Sequence, residues 1–260
     1  MGVFRFKRFD VVNERSAMKV NTDGVLLGAA MSVSPAHRLF LDVGTGTGTI
    51  ALMAAQRIDD AGAAGADASH PDGRCTAEDR VCRVDAIDID EVSVIEADAN
   101  FSASAWKGIL RACKASLEEF EESLDADVRY DHIFSNPPYF DDSLKAPQER
   151  RSNARHTSTG LSYRELLEFA SRRLSDGGHV SMVLPAETEV HLCRHARMCG
   201  LHLFRIVRVR TVPRKAPGRI IAEFGRARCM EPEDVLLTIQ NEGKYTEEYL
   251  SLTHDFYLFA

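Results

Sequence analysis

Asn136-Pro137-Pro138-Tyr139 directly follows the apolar run Ile133-Phe134-Ser135 and is the segment of this chain best suited to chemistry. Two consecutive prolines remove two backbone donors and fix φ, so the turn presents carbonyl oxygens without competing amide hydrogens. An exocyclic amine has its lone pair delocalised into the ring it hangs from. Acceptors from the Asn136 side chain and the Pro137 carbonyl would hold its two hydrogens and aim the nitrogen at an electrophile, with Pro138 stiffening the turn. Tyr139 is suited to stack on a flipped base, an interaction worth about 1–3 kcal/mol. Asn136, Pro137, Pro138 and Tyr139 are therefore the catalytic candidates, in a reaction that needs positioning and desolvation but neither a metal nor a covalent intermediate. The bland reading of the same residues is a tight strand-to-loop turn.

A second cluster carries a ligand rather than a reaction. Asp42-Val43-Gly44-Thr45-Gly46-Thr47-Gly48 places three glycines between an apolar run and a helical pattern, where the backbone can approach a bound nucleotide or amino acid closely. A dinucleotide fingerprint, G-x-G-x-x-G/A, requires a small residue where this chain has Thr49, and the acid Asp42 precedes the loop, so a nicotinamide dehydrogenase is disfavoured. A ribose-binding acid should end the next strand about 20 residues on. Gly44 to Asp88 is 44 positions, and subtracting the 22 residues of 59–80 leaves 22, so Asp88 fits that role. Asp90, with Ser93 three residues on, reads as the N-cap of the following helix.

These residues sit in a chain of 260 residues, enough for one full core. The longest apolar run, Val25 to Met31, is too short to cross a bilayer, and the N-terminus lacks the apolar core of a secretory signal, so a cytosolic chain is expected. Cysteines at 75, 82, 113, 193, 199 and 229 form no cluster with zinc spacing, and they read as reduced and structural; no metal is expected. The net charge of −7 taken alone disfavours a polyanionic partner, but the charge is segregated. Asp59 to Asp131 holds 19 acids against 7 bases, whereas Arg194 to Arg228 holds nine Arg and Lys215 against the single acid Glu223. That basic end is either a solvated face or a phosphate-contacting surface.

The elements that must position these residues alternate. Arg38–Val43 reads as strand, Ile50–Ala55 as helix, Val84–Asp88 as strand, Glu91–Ser104 as helix, Leu110–Cys113 and Tyr130–Ser135 as strands. Leu161–Leu174 reads as a helix ended by Gly177-Gly178, and His179–Leu184 as the next strand. The Ala-, Gly- and Asp-rich stretch 59–80 is aperiodic and reads as a surface insertion. Leu201–Val212 and Arg219–Phe224, around Pro213–Gly218, suggest an antiparallel hairpin at the sheet edge. The prediction is an α/β fold: a doubly wound, mostly parallel seven-stranded sheet with helices on both faces and an antiparallel hairpin at its C-terminal edge. The domain reading is an arm and helix over 1–37 and the main domain over 38–260.

With these residues in hand, the chain resembles the class I S-adenosylmethionine-dependent methyltransferases that transfer to a planar amine or amide nitrogen. The opening Phe4-Arg5-Phe6-Lys7-Arg8-Phe9, then Met18 to Gly28 (MKVNTDGVLLG), Asn136 to Phe140, Pro147 to Arg150, Ala154 to Thr157 and Phe256 to Phe259 narrow the match. They resemble the bacterial tRNA (adenine-N6)-methyltransferases that act on adenosine 37 of a valine tRNA. The resemblance implies a Rossmann-like fold, S-adenosylmethionine as cofactor and tRNA as substrate; no membrane and no metal are expected from the sequence, and a monomer is the expectation. Thr22, Asp42, Gly44, Gly46, Gly48, Asp88 and Asn136 would bind the cofactor; Thr22 or Asp23 could equally be an N-cap. Arg5, Lys7 and Arg8 of the arm, with Arg210, Arg214, Lys215 and Arg219 of the hairpin, would bind RNA. Read without the resemblance, the alternating Phe4–Phe9 is equally an edge strand with Phe4 and Phe6 on one face and Arg5 and Lys7 on the other. The polar segment Asp141–Gly160 would close over the base, with His156 either a base contact or simply exposed. Two features depart from the family: the 59–80 insertion, and Ser116 where the family tends to carry Asp after its third strand.

The alternative enzyme is a protein glutamine-N5 methyltransferase, because an amide nitrogen poses the same geometric problem to the same turn. The basic 194–228 segment and the short 38-residue stretch before the first strand speak against it. A non-catalytic RNA-binding module of the same fold would not need Asn136–Tyr139 and Asp88 intact.

Overall fold

The computed structural model describes residues 2–16, 19–64, 82–138 and 161–260. In chain order, β1 (Val3–Arg5) and β2 (Asp10–Val12) form an antiparallel pair of their own, followed by α1 (Thr22–Ala30). Then come β3 (Leu39–Val43), α2 (Thr49–Ala64), β4 (Arg83–Asp88), α3 (Glu91–Ala103), β5 (Leu110–Lys114), α4 (Leu117–Ser123) and β6 (Tyr130–Ser135). After them lie α5 (Tyr163–Arg173), β7 (Leu174–Pro185), α6 (Glu189–Met198), β8 (His202–Arg210), β9 (Arg219–Gly225) and β10 (Glu233–Thr238). The short pair β11 (Gln240–Asn241) and β12 (Lys244–Tyr245) precedes α7 (Glu247–Thr253). None of the described helices is long and apolar enough to cross a membrane.

The main sheet runs β10-β8-β9-β7-β6-β3-β4-β5. It is doubly wound and mostly parallel, as the alternation predicts, but it has eight strands rather than seven. β10 pairs in parallel with β8, so the antiparallel hairpin β8–β9 lies inside the sheet and not at its edge. The additional strand is held by charge as well as by its ladder: Glu233 meets Arg205 at 3.0 Å and Asp234 meets Arg208 at 2.9 Å. Winding reverses between β3 and β6, which lie side by side with their onward helices leading in opposite directions, and this is where open α/β sheets bind ligands.

Strand alternation sorts the core onto both faces. Phe40, Val84, Ala86 and Phe134 pack with α1 and α2, whereas Leu41, Ile87 and Ile133 pack with α5 and α6. Three boundaries differ from the sequence reading. The insertion does not begin at 59, because α2 continues to Ala64 and carries Asp59 and Asp60 on its last turns; residues 65–81 lie outside the described residues. Helix α5 begins at Tyr163, where Ser162 and Glu165 form a reciprocal capping box. The glycines at 177 and 178 do not end that helix but sit within β7, next to the register shift of its pairing with β6. A side chain at 178 would lie 2.8 Å from the Tyr130 carbonyl oxygen, so the close approach of the two strands requires glycine there.

The arm folds onto α3. Arg5 and Lys7 are exposed and Phe6 is buried with Phe4 half-buried, as the alternation predicts; it does not extend to Arg8, which is exposed, or to Phe9, which is buried and stacked on Phe6 at 4.6 Å. Asn100 donates to the Val12 carbonyl and accepts from the Val12 amide. Glu96, buried, collects the backbone amides of Glu14, Arg15 and Ser16 at 2.7–3.0 Å. Burial alone would raise its carboxyl, but those three donors outweigh it and hold the group below the ordinary glutamate value. Glu96→Ala orphans three amides, and chemical denaturation is expected to show a loss of about 2 kcal/mol or more. A loss under about 0.5 kcal/mol would mean the arm is not held by this carboxylate.

Candidate active site

The chain leaves β3 through a loop that only glycine can make. Gly44, Gly46 and Gly48 have φ of 73°, 55° and 80°, in the left-handed region. A Cβ at Gly48 would also lie 2.4 Å from Phe101 of α3, so this glycine lets the start of α2 pack on α3. The end of β4 receives the loop: the amides of Gly44 and Thr45 both donate to the Ile87 carbonyl at 2.9 and 3.0 Å, and Gly46 donates to Asp88 Oδ2 at 2.8 Å. Asn100 reaches the same loop from the side, donating to the Thr47 carbonyl at 2.9 Å, and so joins it to the arm.

Asp88 accepts one backbone amide on each oxygen, from Gly46 and from Asp90. Each oxygen keeps a second lone pair, enough for the two hydroxyls of a ribose. Asp90 caps α3 by accepting from the Ser93 amide, as its position predicts. Asp42 lies fully buried beneath the loop, accepting from Thr45 Oγ1 at 2.7 Å, while its Oδ1 has no hydrogen-bond partner among the described residues. Burial pushes this carboxyl up to about 7; the Thr45 bond partly offsets that, and the neighbouring Asp88 charge adds to it.

β6 ends level with β3 because Ser135 Oγ donates to the Val43 carbonyl at 2.6 Å. Asn136 and Pro137 follow at once, both buried, with Pro138 half-buried. The amide nitrogen of Asn136 faces Asn21 Oδ1 at 3.4 Å, which turns the Asn136 carbonyl oxygen away from Asn21 as an acceptor. Asn21, not Thr22 or Asp23, is the N-cap of α1, accepting from the Gly24 amide at 2.8 Å. Thr22 is exposed on the first turn of α1, and Asp23 pairs with Arg219 at 2.9 Å. Asn21 and Asn100 are the site residues that sequence reasoning missed; an Asn three residues before Gly24 in a helix-start pattern was a usable signal for Asn21. Tyr139, the segment Asp141–Gly160 and His156 lie outside the described residues. Where the described chain resumes, Leu161 Cδ2 lies 3.9 Å from where a Cβ on Gly44 would sit, beside the glycine loop.

The basic residues divide. Arg219, opposite Pro185 at the carboxyl end of β7, brings the β8–β9 hairpin tip to the same side of the sheet as the glycine loop. Arg214 and Lys215 are exposed at that tip, and Arg210 is held by Thr238 Oγ1 and the Pro213 carbonyl. The arm points elsewhere. Arg8 pairs with Asp59 and Asp60 and covers the Trp106 ring, about 16 Å along α2 from Gly48. Lys7 donates to the carbonyls of His254 and Ala260. Arg8 is thus engaged by acids of α2, whereas Arg214 and Lys215 are exposed at the hairpin tip. Ser116 is the capping-box N-cap of α4, bound to Glu119.

S-adenosylmethionine, the cofactor implied by the resemblance, carries a ribose diol and a charged amino-acid end. The free lone pairs of Asp88, the orphaned Oδ1 of Asp42 and the positive-φ loop fit that set of groups.

Comparison with known proteins agrees with this geometry. A family model described as an RMKL-like methyltransferase domain matches residues 31–211. A protein of Parabacteroides distasonis named tRNA1(Val) (adenine(37)-N6)-methyltransferase is 38% identical, over 98% of this chain and 97% of its own. A protein of the same name from Flavobacterium psychrophilum is 34% identical over 98% of this chain and 99% of its own. Among solved structures, one described as a predicted O-methyltransferase from Agrobacterium tumefaciens shares the fold, with a TM-score of 0.58 at 14% identity, covering 90% of this chain and 96% of that one.

The raised carboxyl makes a prediction about pH. Asp42 binds its proton more tightly folded than unfolded, so its contribution to stability is full below about 3.8 and is lost as pH rises toward 7. Asp42→Asn should flatten the stability profile of the unliganded protein across that window, removing a slope of up to about 1.4 kcal/mol per pH unit. Denaturation midpoints measured from pH 4 to 8 check this; identical slopes in both proteins would refute it.

Proposed function

The chain belongs to the family of bacterial proteins named tRNA1(Val) (adenine(37)-N6)-methyltransferases, and on that premise we propose that it methylates N6 of an adenine in tRNA, at position 37 of tRNA1(Val). One observation carries the reading: the Ser135–Val43 bond sets the acceptors of Asn136 and Pro137 level with the glycine loop, at the point where sheet winding reverses. When bound, S-adenosylmethionine supplies an electrophilic methyl group. Gly44, Gly46 and Gly48 would cradle it, Asp88 would hold the ribose hydroxyls, and Asp42 and Thr22 would serve its amino-acid end.

The protein's own task is orientation. The Asn136 carbonyl oxygen and the Pro137 carbonyl accept the two N6 hydrogens, which holds the amine in place and keeps electron density on nitrogen. Extraction of the base from the anticodon loop supplies access, and Tyr139 offers its ring as the stacking face. Arg214 and Lys215 at the hairpin tip meet the RNA backbone, on the same side of the sheet as the reacting groups. Arg219 is engaged with Asp23 and supports the rim instead. The enzyme acts as a monomer in the cytoplasm, where its substrate is.

Transfer of labelled methyl to total tRNA from a strain lacking the gene tests this directly. Wild type should yield N6-methyladenosine, and Asn136→Ala should lose about 100-fold or more of the rate. Label appearing in protein glutamine rather than in RNA would sink the proposal. The double variant Arg214→Ala, Lys215→Ala should weaken tRNA binding and reduce the salt dependence of log K by about 2, one for each phosphate that is no longer neutralised. An unchanged slope would remove the hairpin tip from the RNA interface.

A further inference from the structure

Three histidines that are far apart in sequence meet inside the sheet, at the end opposite the reacting groups. His37 precedes β3, His132 lies on β6 and His179 pairs with it on β7, and a ring nitrogen of each lies within 4.8 Å of the others. The ring centroids of His132 and His179 are 4.0 Å apart and those of His37 and His179 5.0 Å. His132 is 0% exposed, His179 7% and His37 9%.

Their hydrogen bonds decide where the protons are. The single hydroxyl proton of Ser181 goes to Glu223 Oε2 at 2.7 Å, so Ser181 Oγ must accept from His132 Nε2 at 2.8 Å. The proton of His132 is therefore on Nε2, and Nδ1 is a bare lone pair, buried and without a partner among the described residues. His179 Nε2 lies 3.0 Å from the Ser32 carbonyl, which can only accept, so this ring too has its proton on Nε2. His37 Nδ1 is likewise buried without a partner among the described residues. Burial, foremost, holds all three rings below the ordinary imidazole value.

We propose that His37, His132 and His179 bind a divalent transition-metal ion, zinc by ligand chemistry, at this end of the sheet. Neutral imidazoles oriented through their second nitrogen by a carbonyl, or by a hydroxyl anchored on a carboxylate, are what zinc sites use. The carboxylate is Glu223, fixed by Arg205 and Ser32 and 3.9 Å from His179 Nε2. Tetrahedral zinc at about 2.0–2.1 Å from each nitrogen needs those nitrogens about 3.4 Å apart, so from separations of up to 4.8 Å the rings must draw together on binding, with water as the fourth ligand. His132 is four residues before Asn136, about 13 Å along the strand, so the ion would brace β3, β6 and β7 without touching the substrate. Sequence spacing hid the site, since His37, His132 and His179 are separated by 95 and 47 positions.

The test uses the full chain without a histidine tag. Metal content by mass spectrometry after gel filtration should be one zinc per chain, and zinc restored after chelation should raise the melting temperature. Cobalt added to the stripped protein should give the visible bands of a tetrahedral site, a readout that needs no variant. His37→Gln and His179→Asn, checked for native circular dichroism, should each weaken zinc at least 10-fold in competition with a chromophoric chelator. Substoichiometric zinc with no cobalt bands, or unchanged affinity in both folded variants, would overturn the proposal and leave the cluster a hydrated pocket.

Discussion

The glycine loop can leave β3 only because the end of β4 is there to receive it. Three backbone amides that would otherwise be orphaned at a tight turn find the Ile87 carbonyl and the Asp88 carboxylate. Asp88 is thus first of all a loop latch, and the lone pairs it would offer a ribose are presented by the same geometry that shapes the loop. The Ser135–Val43 bond extends this levelling to β6, so that the double-proline turn and the glycine loop lie side by side at the point where winding reverses. Because β3, β4 and β6 must end together, the site depends on sheet register more than on any single side chain.

The basic C-terminal segment shows how local charge counts mislead. Several of its arginines are answered by acids, all but Glu223 from elsewhere in the chain: Arg205 by Glu223 and Glu233, Arg208 by Glu189 and Asp234, Arg219 by Asp23. Most of these pairs lie on or beside the β8–β10 edge and fasten it. Arg214 and Lys215 at the hairpin tip stay exposed, as do Arg194 and Arg197 on α6 and Arg228 beyond β9. The arm is similar, since Arg8 is occupied by Asp59 and Asp60.

Much of the site was legible because its constraints are local. Glycines at a strand end, an acid ending the next strand and a double-proline turn each dictate their own backbone, and all three lie where the sequence places them. What could not be read depends on partners distant in the chain. Asn21 gains its role from Asn136, 115 residues away, and Asn100 from Thr47 and Val12. β10 was missed because a short run carrying two acids becomes a strand only beside the arginines of β8. The end of α2 was misplaced because Asp59 and Asp60 look like loop residues until Arg8 and Trp106 are set against them.

Lys7 is bonded to carbonyls 247 and 253 residues further along the chain, and Phe6 lies stacked on Tyr257. During synthesis at about 5–20 residues per second, the arm is made roughly 10–50 s before the surface it docks on exists. Phe9 can meet Trp106 early, but Phe4 and Phe6 must wait through that interval for Tyr257, although β3, β4 and β6 are complete well before residue 254 is added. Biogenesis therefore joins this seam late, between segments 247 to 253 residues apart in the chain, which is where a nascent-chain chaperone would find it exposed.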